Sequence, residues 1–298
     1  MPVSAAYLLV IIIWSTTPLG IVWSSESIDP SLSLLLRMLI AVALGWPLIK
    51  LMKVDIPWTR SAFKVYLYSS LSLAVGMLFC YLAAKHISSG LMSLCFGVAP
   101  ILSGIFAQRL IGESKFSNLK KVALFTAIVG LAIVCLENIK GGGSNPIGIV
   151  FVSVGVIMFS LSGVLVKSVP VKLHPLSITM GSLLVSMPFY LIFWGVVGGE
   201  FNPEFWQVRS IVAVVYLGIF ASLIGFLAYF YVLQKLQATT VALIVMVTPV
   251  LSTALGIWVN DEHFSMNLLA GGLLVIAGLA LFQFGHKLRT SSKIRQLL

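Results

Sequence analysis

The sequence predicts an all-α integral membrane fold: ten transmembrane helices arranged as two inverted repeats of five. Three observations predict it. The chain is far more apolar than a water-soluble one, its apolar residues fall into ten stretches of bilayer length, and its halves repeat one another at an offset near 150.

Composition sets the solvent. Of 298 residues, 59% are hydrophobic and only 9% charged, with a mean hydropathy of +1.06. Soluble domains carry about 25% charged residues, so this chain lacks the polar residues to cover a water-facing surface. Lipid accepts apolar side chains freely, provided every backbone group is bonded internally, which helices achieve. The start of the chain, apolar through Trp23, lacks a basic flank and a small-residue cleavage site; it reads as a retained first span rather than a signal peptide. Cys80, Cys95 and Cys135 all lie in apolar stretches without a CxxC pair. They are expected to pack as small apolar residues, with no disulfide framework, metal site or cofactor.

A span needs about 20 apolar residues. Ten segments supply them: 4–23, 31–51, 63–84, 88–108, 119–137, 147–168, 174–197, 209–233, 238–258 and 266–285. The connections are short. The loop Lys140-Gly-Gly-Gly-Ser-Asn-Pro146 is the natural linker, which gives a first repeat over 1–140, a second over 146–288 and a basic tail over 289–298. The linker lacks the Gly-Lys-Ser/Thr ending of a phosphate-binding loop.

The net charge is +10. With the N-terminus placed in the cytoplasm and the sides alternated, fifteen of the 19 Lys and Arg fall inside, among them Lys50, Arg60, Lys115, Lys120, Lys167 and Lys235. Lys85, Lys140 and Arg209 fall outside, and Arg37 lies within a span. Cytoplasmic loops collect Lys and Arg, so both termini are expected in the cytoplasm. The basic charge is spent on topology and lipid headgroups rather than nucleic acid.

The repeat is an ordered series. Val65-Tyr66-Leu67 recurs as Val215-Tyr216-Leu217, Ser72-Leu73 as Ser222-Leu223, Tyr81 as Tyr231 and Lys85 as Lys235. After the loss of one residue, Pro100-Ile-Leu-Ser103 matches Pro249-Val-Leu-Ser252 and Glu113 matches Glu262. Gly130-Leu-Ala132 matches Gly278-Leu-Ala280. Five spans per half is odd, so the halves must cross the membrane in opposite senses. Inverted repeats of this kind place a solute site near the midplane between them.

Trp14-Ser-Thr-Thr-Pro18, Arg37, Tyr81-Leu-Ala-Ala-Lys85 with Ser88-Ser-Gly90, Pro100 through Gly112-Glu113, and the second-half Tyr231, Lys235, Pro249, Glu262 and Gly271 through Ala277-Gly278 carry a resemblance over essentially the whole chain. With these features the sequence resembles the EamA family of the drug/metabolite transporter superfamily. Asp261 stands where the family usually has Gly, and the first-span motif has Ser-Thr-Thr where Gly-Ser-Asn is commoner. The resemblance implies a bacterial inner-membrane secondary transporter, read here as an exporter of amino acids or other small metabolites by alternating access. Uptake of a cofactor-like metabolite, and a receptor or assembly subunit without transport, are the alternatives. No catalytic constellation is visible, so an enzyme is not expected. The expected partners are a small-molecule substrate and the bilayer, with the chain a monomer and a dimer less favoured.

Candidate residues follow from position. Pro18, Pro100 and Pro249 lie inside spans and each removes a helix hydrogen bond; they are read as kinks, either in a cavity wall or in plain packing. Ser15 and Thr17 beside the first kink, with Ser160 as a rough counterpart, either meet substrate or bond the freed backbone. Arg37 lies about 9 Å inside the second span by helical rise. It is either a functional charge or one snorkelling to headgroups. Trp14, Met77, Phe79, Tyr81, Phe226 and Tyr229 are read as cavity residues suited to amphipathic substrates, with an interfacial belt as the competing reading. That belt is favoured for Tyr66 and Tyr216. Phe96 and Met246 join the cavity set from their places beside the prolines. Gly130, Gly271, Gly272, Ala277 and Gly278 are expected to let the fifth and tenth spans pack closely and brace the core rather than line the cavity.

Overall fold

Seven of the connections supply a side-chain cap for the helix after them. In the computed structural model, which describes residues 2–140, 145–196, 199, 201–236, 238–261 and 265–295 (backbone only at 137–140, 233, 238–243, 245–246 and 283–295), the chain is all-helical with no strand among the described residues. Helix α1 is Val3–Ser24, α2 Pro30–Met52, α3 Arg60–Ala84, α4 Ser89–Leu110 and α5 Asn118–Lys140. Then come α6 Pro146–Ser168, α7 Pro175–Val196, α8 over 208–235, α9 Ala238–Asn260 and α10 Met266–Arg295, which continues unbroken into the basic tail.

A short polar side chain accepting from the first turn is the standard helix start. Asp29 accepts from the backbone N–H of Ser31 at 2.9 Å, ahead of Pro30. Asn145 takes the N–H of Ile147 at 3.0 Å, ahead of Pro146. Thr59, Ser88, Ser117 and Ser265 do the same for α3, α4, α5 and α10. His174 starts α7, its Nδ1 accepting from Leu176 N–H at 3.2 Å.

Eight of the helical stretches are long and apolar enough to cross a membrane on their described side chains. Two shorter apolar stretches, Val247–Asn260 and Met266–Phe282, lie within α9 and α10. Large apolar side chains on the outside, such as Ile12, Phe125 and Trp258, are what a lipid-facing surface requires.

The packing partners are specific. Helix α1 lies against α8, α9 and α4; α6 lies against α3 and α4; α2 lies against α7 and α8. Helix α3 also packs on α7, α4 on α9, and α5 most extensively on α10. The α5–α10 seam is backbone against backbone. A Cβ on Gly130 would lie 2.6 Å from the Gly271 carbonyl oxygen, and one on Gly278 would lie 2.7 Å from Ala127 N. Gly272 is buried too, whereas Ala277 is exposed and stands outside the seam.

Helices α3 and α8 each contain a π-helical stretch, Leu71–Gly76 and Leu217–Ile224. Such stretches leave backbone carbonyls without the usual partner, which inside a membrane need another donor. Ser162 of α6 donates to the Tyr68 carbonyl at 2.8 Å, and Tyr190 of α7 to the Leu73 carbonyl at 2.5 Å. Replacing Ser162 with Ala therefore strands the Tyr68 carbonyl, for an expected loss of about 1 kcal/mol. Thermal unfolding of the purified variant in detergent checks this.

Proline positions need correction. Pro47 and Pro188 also lie inside helices, so the set of in-helix prolines is larger than Pro18, Pro100 and Pro249. Helices α1 and α9 run on through Pro18 and Pro249. Only at Pro100 does the helix break: it stops at Phe96 and restarts at Ala99, with Pro100 in the first turn of the new segment, where its missing N–H costs nothing. Tyr66 is not a belt residue. It is fully buried, seated over Gly181, and donates to the Pro57 carbonyl at 3.1 Å.

Candidate functional site

The break at Pro100, the Pro18 turn of α1 and Ala221 of the α8 π stretch face one space. A cavity of about 410 Å³ is walled by α1, α2, α3, α4, α6, α8 and α9, that is, by helices from both halves of the chain.

Its blind end is polar. Arg37 of α2 is fully buried there, beside Met77 and Cys80 of α3. Its Nε donates to Ser222 Oγ at 2.6 Å, on the α8 π stretch, and its Nη1 lies 3.5 Å from Tyr81 Oη and 3.9 Å from Met77 Sδ. Nη2 is buried and has no hydrogen-bond partner among the described residues.

The middle is aromatic. Trp14 of α1 lies at 4.8 Å from Tyr229 and 6.5 Å from Phe226 of α8, ring centre to ring centre. Across the cavity Phe96 of α4 meets Phe159 of α6 edge-on at 5.2 Å. Tyr and Trp faces offer broad apolar contact with few rotatable bonds.

The far end is charged and open. Ile111, Glu113, Ser114 and Lys167 line it and are exposed. Phe116 leans over it, packed against Phe282 at 5.1 Å, with the Lys120 ammonium 5.1 Å above the Phe282 ring. Loop contacts show which face this is. Ser177 donates to the Asp55 carbonyl and Gln234 to the Leu173 carbonyl, which puts the α2–α3 and α6–α7 connections and the end of α8 together. Lys167 ends α6 on that face. On the opposite face, Trp23 donates to Asn260 Oδ1, Arg209 donates to the same oxygen, and the Arg209 guanidinium sits 4.2 Å over the Trp23 ring.

Trp14, Thr17, Arg37, Met77, Phe96, Ser160, Phe226, Tyr229, Pro18 and Pro100 all line the cavity. Ser15 does not: its hydroxyl returns to the Ile11 carbonyl at 2.7 Å, so it bonds its own helix. Thr17 likewise donates to the Ile13 carbonyl at 2.7 Å, although it stays on the cavity wall. Phe79 points away and packs on Phe151. Tyr81 is fully buried behind the wall and reaches the site only through Arg37. Pro249 is off the cavity, and the Met246 side chain lies outside the described residues.

Helices α5 and α10 brace the core through their glycine seam, yet Lys120 and Phe282 also line the mouth, contrary to a purely bracing role. Residue reasoning missed Phe159, Met92, Ser93 and Ser103. Phe159 had a signal. It precedes Ser160, the rough counterpart of Ser15 and Thr17, as Trp14 precedes Ser15.

The sequence profile described as the EamA-like transporter family matches residues 2–136 and 146–284. A protein from Archaeoglobus fulgidus named an uncharacterized transporter is 27% identical over 283 residues, spanning 91% of this chain and 95% of that one. The Escherichia coli K12 protein named uncharacterized inner membrane transporter YedA is 25% identical, over 93% of this chain and 89% of its own. A crystal structure 23% identical in sequence superposes with a TM-score of 0.65 over 94% of this chain and 95% of its own, a likeness of fold.

Proposed function

The chain belongs to the EamA-like transporter family and is a multi-pass membrane protein of transport, and we propose that it is not an enzyme but an exporter of amino acids or other small metabolites working by alternating access. One observation carries the reading: a cavity walled by helices of both halves, blind at one face and open at the other.

Two inverted five-helix repeats, 1–140 and 146–288, account for the packing. Exchanging each helix with the one five places on preserves most of the partners, the contact of α1 with α4 being an exception. Helix α1 on α8 and α9 becomes α6 on α3 and α4, while the α2–α7, α4–α9 and α5–α10 pairs map onto themselves. The π stretches of α3 and α8 fall at corresponding places. Repeats related in this way rock against one another around a midplane site. The mouth shares its face with Lys115, Lys120 and Lys167, the side that collects basic residues. That face is the cytoplasmic one in this reading, both termini are cytoplasmic, and the chain stands open to the inside, ready to load for export.

The test is flux. The full chain in liposomes, offered a panel of labelled amino acids and amphipathic metabolites, is expected to carry at least one of them, with counterflow in oppositely loaded vesicles giving the preferred direction. Folded protein that moves no member of the panel in either direction overturns the reading.

A further inference from the structure

We infer that the cavity selects monocarboxylates with an apolar or aromatic body, the carboxylate held by Arg37 and the body laid against Trp14, Phe226 and Tyr229. The inference rests on the transport reading of the same cavity.

Among the described residues Arg37 is a cation without an anion. It is fully buried, and the one ion pair among the described residues is Arg209–Glu26, on the closed face. A guanidinium carries five donors in a fork that fits two carboxylate oxygens. Here the acceptors are all neutral: the Ser222 hydroxyl at Nε, and the Tyr81 hydroxyl and Met77 thioether at Nη1. The thioether at 3.9 Å is a weak acceptor on a flexible side chain, and Met77 itself lines the cavity. Nη2 has no acceptor among the described residues. A buried charge left in this condition is costly, and a bound anion removes the cost. Ser222 holds Nε and so fixes the direction of the fork.

The rest of the cavity limits the anion. Among its described lining residues Arg37 is the one cation away from the charged mouth, so a single negative group is matched and a second is not. From Arg37 outward the wall turns to aromatic rings, with Trp14 centred 4.8 Å from Tyr229. A flat or bulky apolar group beside the carboxylate meets that surface, while a small hydrophilic anion leaves it unused.

Calorimetry on the purified full-length protein tests this with 3-phenylpropionate, the neutral 3-phenylpropanamide, tricarballylate and inorganic phosphate. The carboxylate is expected to bind at least tenfold tighter than the amide, and tricarballylate and phosphate at least tenfold weaker than the carboxylate. Arg37→Gln is expected to erase the preference for carboxylate over amide while leaving amide affinity within about threefold, which also reports that the cavity has folded. Trp14→Ala is expected to weaken carboxylate and amide alike. Equal binding of carboxylate and amide by the unaltered protein overturns the assignment, and so does phosphate binding as tightly as 3-phenylpropionate. Flux of neutral or cationic solutes with carboxylates excluded overturns the carboxylate assignment while leaving the transport reading standing. No flux of any solute overturns the transport reading itself.

Discussion

Replacing Gly130 with leucine is expected to strip α5 and α10 from the protein. A Cβ at this position would lie 2.6 Å from the Gly271 carbonyl oxygen and 2.7 Å from both Leu274 Cβ and Val275 N. Two of those three atoms are backbone, so no rotamer change relieves the clash. The facing positions are just as tight: Gly271 would meet Val134 Cγ2 at 2.5 Å, and Gly278 the Ala123 carbonyl oxygen at 2.8 Å. The helices must separate along the whole seam, and every dispersion contact of the close approach weakens together. Between lipid-facing helices there is little hydrophobic force to hold them once that packing is lost. Overpacking a single site typically costs about 1–3 kcal/mol, and a seam built from repeated backbone contacts belongs at or above the top of that range. Size-exclusion chromatography in detergent is expected to show loss of the monodisperse peak. Leucine at Ala277, an exposed position on the same α10, is expected to leave the profile unchanged. A normal peak and melting curve for the Gly130 variant would show that the seam is not under this constraint.

That seam was readable in the residues, because close approach of two helices demands small side chains and Gly130, Gly271 and Gly278 are the small side chains. The helices themselves were readable for a similar reason. A bilayer of about 30 Å imposes a length, and the caps fall where Asp29, Ser88, Asn145 and Ser265 sit between apolar runs. What the sequence conceals is rotation about the helix axis. In water, polar residues mark the outer face of a helix; in lipid both faces are apolar, so the periodicity that would aim a side chain is lost. Phe79 and Tyr81 looked equivalent, yet one packs outward on Phe151 and the other is buried under Arg37. Tyr66 resembled a belt residue because the glycine that receives it, Gly181, lies on another helix. Ser15 looked available because no sequence feature tells whether a hydroxyl turns to the cavity or back to the Ile11 carbonyl. Trp14, Phe96 and Arg37 were found because a proline or a charge singled them out.

Removing the Arg209 side chain is expected to loosen the closed face and expose the cavity from that side. The closure there is a small polar cluster joining the end of α1 to the start of α8 and the end of α9. Arg209 lies over the Trp23 ring at 4.2 Å, donates to Asn260 at 2.8 Å and lies 3.7 Å from Glu26. Trp23 donates to the same Asn260 oxygen, and Ser210 to the Trp23 carbonyl. The ion pair counts for little, since both side chains are well exposed, and such pairs contribute about 0–1 kcal/mol. The cation–π contact adds about 0.5–1 kcal/mol, and the hydrogen bond to Asn260 about 1 kcal/mol. Arg209→Ala thus removes roughly 1–3 kcal/mol, on the order of a 5- to 150-fold bias between closed and open faces. This is large for the conformational equilibrium and small for folding, because α1, α8 and α9 keep their apolar packing. A reporter lies close by: Ile21 is buried, lines the cavity and is two residues from Trp23. With Cys80, Cys95 and Cys135 replaced by serine and Ile21 by cysteine, a membrane-impermeant maleimide applied at the closed face is expected to label the Arg209→Ala background at least fivefold faster. Glu26→Gln is expected to change the rate less than twofold. Equal labelling with and without Arg209 would mean that the apolar packing of α1 against α8 and α9, rather than this cluster, holds the face shut.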